Sequence, residues 1–99
     1  MKLGNVIGRI TLSQTIPGMQ GARWLVVSPM TRTTLQKLPD DPGLSTEPTP
    51  VVYDNLGAGT GDIIGFVEGR EAASPFDPPI AIDAINAAII DRINYSPVL

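Results

Sequence analysis

At 99 residues, 42% hydrophobic and only 5% aromatic, the chain has room for one domain over 1–99 with a modest core. Zero cysteine and zero histidine exclude disulfides and thiolate ligands and remove the commonest general base and metal ligand. A net charge of −3 with seven scattered basic residues lacks the clustered cations of a nucleic-acid binder.

Ten glycines and ten prolines cut the aliphatic content into short runs, a pattern of strands and turns. No run approaches the roughly 20 apolar residues that span a bilayer. The N-terminus has no long apolar segment with a small-residue cleavage site, so the chain reads as soluble, not secreted and without a membrane partner.

From Leu3 to Leu12 the residues LGNVIGRITL alternate loosely, with Val6, Ile10 and Leu12 on one face. Gly4 and Gly8 share that apolar face, where a missing side chain marks a bend, a close approach of another backbone, or only a weakened strand. Ser13 to Ala22 carries Pro17-Gly18 and Gly21 and reads as a loop. In Arg23 to Met30, residues Trp24, Leu25, Val26 and Val27 form a continuous apolar run whose two faces must both be hidden. One face fits a core. The other meets either a second subunit, with Trp24 and Val26 as contacts, or a loop folded over it.

Thr31 to Pro50 holds four prolines and no periodicity, and reads as a long polar surface loop. Its Asp40-Asp41 pair suits solvated turn residues better than a metal site, since no further acidic cluster completes a ligand set. Val51 to Asp54 and Asp62 to Val67 are short strands joined by NLGAGTG. Neither G-x-G-x-x-G opening a helix nor G-x-x-x-x-G-K-[ST] is present, so the glycines form a strand connection and not a nucleotide cradle. Gly59 in particular is expected to supply backbone freedom that no β-branched residue has.

Glu68 to Ser74 has the composition of one or two helical turns ended by Pro75, suited to plugging one end of a barrel. Ile80 to Tyr95 satisfies two periods: Ile82, Ile85, Ile89 and Ile93 recur at helical spacing, while residues 88–93 also alternate as in a strand. Alanine content favours a helix and β-branched isoleucine a strand; by these residues alone the helix is narrowly preferred. Asp83 and Asp91 lie too far apart in a strand, at about 3.3 Å per residue, to act on one bond. Asn94-Tyr95-Ser96 matches a glycosylation sequon, which carries little meaning without a signal peptide.

Four stretches, LGNVIGRITLSQ, ARWLVVSPM, LGAGTGDIIGFVEGREAA and IAIDAINAAIIDRIN, resemble in order and spacing the pentameric vertex proteins of bacterial microcompartments, the group of ethanolamine-utilisation and carboxysome shell vertex proteins. The resemblance implies a mainly β fold, a small oligonucleotide-binding-like β-barrel with one short helix, assembling as a cyclic pentamer. It places Ala87 to Ile93 in a strand, with Asp83-Ala84 in the turn before it and Asn86 at a position often aliphatic. The 31–50 loop is longer and richer in proline than in compact members, so its conformation is not inherited.

The function so implied is structural. Homopentamers cap shell vertices beside hexameric shell proteins, in the cytoplasm, with no catalytic residue, cofactor, metal or nucleic acid. Trp24, Val26, Gly57, Ala58 and Gly59 are the candidate residues at the subunit interface or fivefold axis. The alternative is a stand-alone barrel that binds a small ligand or partner protein.

Overall fold

In the computed structural model, which describes residues 1–94, short apolar runs become five strands: β1 Lys2–Ile10, β2 Arg23–Pro29, β3 Val51–Asp54, β4 Ile63–Glu68 and β5 Ala84–Ile90. They hydrogen-bond as a closed barrel in the order β1-β2-β3-β5-β4. All neighbours are antiparallel except β3 and β5, which run parallel and meet at Tyr53 and Ile85. Closure leaves no long unpaired edge around the wall.

Two register shifts bend the wall. One lies between Val6 and Gly8 against β2, so Ile7 is the extra residue; the other sets Gly65 and Phe66 against Ala88 and Asn86, so Ala87 is the extra residue. Such bulges sharpen local twist, which a barrel of so few strands requires. Gly4 answers its own question differently. A Cβ there would collide with Val27 and come within 2.9 Å of the Phe66 ring, so glycine lets core side chains cross the strand's inner surface.

Val6, Leu25, Val27, Val52, Ala58, Ile64, Phe66 and Ala84 fill the barrel. Leu25, Val27, Val52, Ile64 and Phe66 are fully enclosed, and a small barrel packed in this way has no internal room for a ligand.

The last strand settles the ambiguity of residues 80–93 against the helix. Six residues of β4 pair with β5, and this non-local ladder outweighs the alanine propensity. Its bounds also differ from those the resemblance implied: Ala84 belongs to the strand, which ends at Ile90. Asp83 and Asp91 flank it at opposite ends, both exposed.

The 31–50 segment is not structureless. Thr31 caps a single helical turn, α1 Arg32–Leu35, through reciprocal bonds with Thr34, whose hydroxyl accepts the Thr31 N–H at 2.8 Å. Further on, the Ser45 N–H donates to Ser28 Oγ at 3.0 Å and Pro50 O accepts the Val27 N–H at 3.2 Å, laying the segment along β2. Asp41 is a turn residue, accepting the Gly43 N–H at 2.9 Å. The helical composition after β4 becomes a 3-10 turn, Arg70–Ala73, that buries Ala72. Tyr95 and Ser96 of the sequon lie outside the described residues.

The packing at Gly4 yields a direct test. Gly4→Ala forces a methyl group into the core and should cost about 1–3 kcal/mol, read as a lower urea midpoint at unchanged m-value.

Candidate functional site

The connection between β3 and β4 is built on one carboxylate. Asp54 ends β3 with its side chain wholly enclosed, and a bare buried carboxylate is costly unless donors surround it. Five do. The Leu56 N–H and Asn86 Nδ2 donate to Oδ1, each at 3.0 Å. The Gly57 N–H at 3.2 Å, the Ala58 N–H at 3.0 Å and Arg23 Nε at 3.2 Å donate to Oδ2. Arg23 also donates through Nη2 to Ala58 O at 2.7 Å, so the guanidinium spans carboxylate and turn.

Backbone geometry then carries the chain across that end of the barrel. Gly57 and Gly61 sit at φ +91° and +95°, a region costing about 1–2 kcal/mol for other residues. Between them Ala58 is driven fully into the core. Asp62 Oδ2 accepts the Gly59 N–H at 2.8 Å. The Gly61 N–H donates to Val6 O and Val6 N–H to Asp62 O, each at 2.9 Å, fastening the turn to β1.

Burial pushes the Asp54 carboxyl upward, but the bonds from Asn86, Leu56, Arg23 and Ala58 outweigh it and hold the group below its ordinary range. Asn86, the polar interruption in an aliphatic strand, is thereby explained: it is 3% exposed and joins β5 to Asp54. Its Oδ1 accepts the Ala88 N–H at 3.1 Å across the Ala87 bulge.

The residues singled out in the sequence divide into two groups. Gly57, Ala58 and Gly59 come together in this turn, but their parts differ from the expectation. Gly59 has no positive φ, and a Cβ there would meet nothing within 4 Å among the described residues; the backbone freedom is needed at Gly57 and Gly61. Trp24 is 7% exposed and packs edge-on against Tyr53 at 5.5 Å, which packs edge-on against Phe76 at 5.1 Å. Trp24 is thus enclosed within its own chain, against Tyr53 of β3, while Val26 stays half-buried. Asp54 and Arg23 carried no expectation from the sequence, and Asn86 only that of a polar residue at an aliphatic position. A short acidic residue ending a strand before a glycine-rich turn is the usual signal of an Asx turn and pointed to the first of them.

The family model described as ethanolamine utilisation protein EutN/carboxysome matches residues 1–91. The GrpN pentameric microcompartment shell protein from Rhodospirillum rubrum is 30% identical, with a TM-score of 0.75 over 98% of this chain and 100% of that one. CcmL from Gloeobacter violaceus is 25% identical, TM-score 0.77, over 96% of this chain and 90% of that one. EutN from Escherichia coli is also 25% identical, TM-score 0.74, over the same shares of 96% and 90%. Among curated proteins, none matches the sequence.

Asp54→Ala should lower stability by about 3 kcal/mol or more, because it strands three turn N–H groups and the Asn86 amide; urea unfolding measures it. The pH dependence has a fixed sign. A folded-state pKa below the ordinary value of about 3.9 gives stabilisation that is complete above that value and is lost as pH falls through the folded one. Below about pH 4 the wild type should therefore lose stability more steeply than Asp54→Asn.

Proposed function

The chain belongs to the ethanolamine utilisation EutN/carboxysome family, and on that premise we propose that it is a structural shell protein whose pentamers cap the vertices of a bacterial microcompartment. One observation carries the proposal. The chain is covered over 98% of its length by a pentameric microcompartment shell protein at 30% identity, with a TM-score of 0.75.

The mechanism is geometric. Flat sheets of hexameric shell proteins cannot close into a polyhedron without points of lower order, and a head-to-tail interface that closes after five copies supplies such a point. Each joint of ordinary size covers about 800 Å² per partner, and apolar burial at about 25 cal/mol per Å² must exceed the cost of association. None of this asks chemistry of a side chain. The filled barrel supports the same reading over that of a stand-alone ligand carrier, since its interior is occupied by Phe66, Leu25 and Ile64. The cell compartment is the cytoplasm, and the partners are four further copies and the hexameric shell proteins around the vertex.

The glycine turn is the proposed approach to the fivefold axis. Gly59 is exposed, and nothing among the described residues requires glycine there, so a requirement at this position points to a neighbouring copy. Ala58 serves from within, as the inward plug that fixes the height of the turn. Val26, half-buried on the outer face of β2 that it shares with Trp24, is the proposed contact of that strand with a neighbouring copy.

Native mass spectrometry at micromolar concentration should give a species of five times the 10.5 kDa chain mass; a stable monomer or dimer would sink the vertex reading. Two substitutions separate folding from assembly. Gly61→Val should lose about 1–2 kcal/mol of stability from its φ alone. Gly59→Val should keep the wild-type far-UV circular dichroism as a folded monomer and lose the pentamer, and a normal pentamer from that variant would remove the turn from the axis.

A further inference from the structure

Resting on the pentameric reading, we propose that each joint of the ring is made by an arm, the β1–β2 loop of one copy, seated in an apolar groove beside the β4–β5 ladder of the next.

The groove is about 810 Å³ and lies outside the barrel. Leu35, Leu38, Ile63, Ile90 and Ile93 supply most of its apolar lining, and Gln36, Asp91, Arg92 and Asn94 supply polar groups. The five apolar residues are only half-buried. The filled barrel offers this apolar surface no cover of its own. A contiguous apolar patch of this kind on a small protein marks a contact site.

The arm is the matching surface. β4 pairs with β1 only from Lys2 to Asn5, while β1 runs on to Ile10 in partnership with β2. At about 3.3 Å per residue, the hairpin therefore advances roughly 13 Å past Val6 with the β4 side of Gly8 to Ile10 unpaired by any described strand. Its loop is built from successive turns, Met19 N–H to Ile16 O and Ala22 N–H to Met19 O, each at 3.3 Å. Leu12 and Ile16 are held outward on it, 42% and 55% exposed. The arm therefore holds two aliphatic residues in water, apolar surface that a contact would bury.

A second copy is the occupant that suits both surfaces. Arm and groove are different patches, as a head-to-tail contact requires and a two-fold contact does not. In the order β1-β2-β3-β5-β4 the arm's second strand, β2, is separated from both β4 and β5, so one chain can present its groove to one neighbour and its arm to the other. Charge agrees. Arg9 on the arm and Asp91, which lines the groove beside Arg92, are both exposed, and among the described residues neither Arg9 nor Asp91 takes part in an ion pair. The carboxylate is the groove's one anionic side chain and the contact Arg9 would take. Both surfaces adjoin the glycine turn, through Val6 on one side and Ile63 on the other, so the joints would ring the proposed axis.

The test uses two variants of the full chain, an arm variant, Ile16→Asp, and a groove variant, Ile93→Asp, each checked for wild-type far-UV circular dichroism. Native mass spectrometry at micromolar concentration should find each variant monomeric. Mixed together, they should give a 1:1 heterodimer and no ring, because the intact arm of one fits the intact groove of the other once only. Charge reversal adds a readout that misfolding cannot imitate: Arg9→Asp and Asp91→Arg should each weaken the pentamer at least tenfold, and the double variant should restore it. Deletion of residues 95–99 should leave the wild-type pentamer intact. A pentamer from Ile16→Asp, a mixture that stays monomeric, or loss of the ring on deleting 95–99 would overturn the arm-in-groove joint while leaving a pentameric wild type standing. A monomeric wild type would instead overturn the pentameric reading and the joint with it.

Discussion

The buried carboxylate of Asp54 is the constraint on which the rest of this fold depends. A strand must end, the chain must cross the mouth of a barrel, and the crossing must expose neither the core nor its own amides. Asp54 meets these demands by accepting from three successive turn N–H groups, from Arg23 on β2 and from Asn86 on β5. It thereby ties the turn to both neighbours of β3. Because that carboxylate is dry, each bond to it is stronger than it would be in water and each loss more damaging. Two positive-φ glycines and one inward alanine complete the closure.

Function follows from where this arrangement leaves free surface. The interior is consumed by packing, so nothing can be bound there. What remains is the outside of a small rigid body whose glycine turn is fixed in height, whose β1–β2 hairpin projects, and whose β4–β5 side keeps a groove open. Those are requirements of a building unit. A shell vertex needs rigidity at the turn, since an error of angle at one joint is repeated at each of the others around a closed ring. Membership of the EutN/carboxysome family and the barrel's filled core describe the same object from different directions.

Local pattern was enough for much of this and not for the rest. The bounds of β3 at Val51 and Asp54 were legible because an apolar run stops at a polar residue before a glycine cluster. Residues 84–90 were not, because isoleucine spacing there satisfies both periods and the deciding fact, the ladder with β4, is non-local. Cover over Trp24 was hidden for the same reason: Tyr53 and Phe76 are 29 and 52 positions away along the chain. The helical turn at Arg32–Leu35 had a local signal, a threonine at each end of a capping box, which the surrounding prolines obscured. At the turn, glycine count drew attention to Gly59, whereas the positions that need glycine are Gly57 and Gly61; spacing alone cannot tell which glycine has the positive φ.

The most direct measurement of the central claim is the rotational symmetry of the assembled chain, obtained from electron-microscopic class averages of the purified protein. Fivefold rings are expected, with the glycine turns, Gly57 to Gly61, gathered about the axis. Isolated barrels, twofold pairs or rings of another order would contradict it.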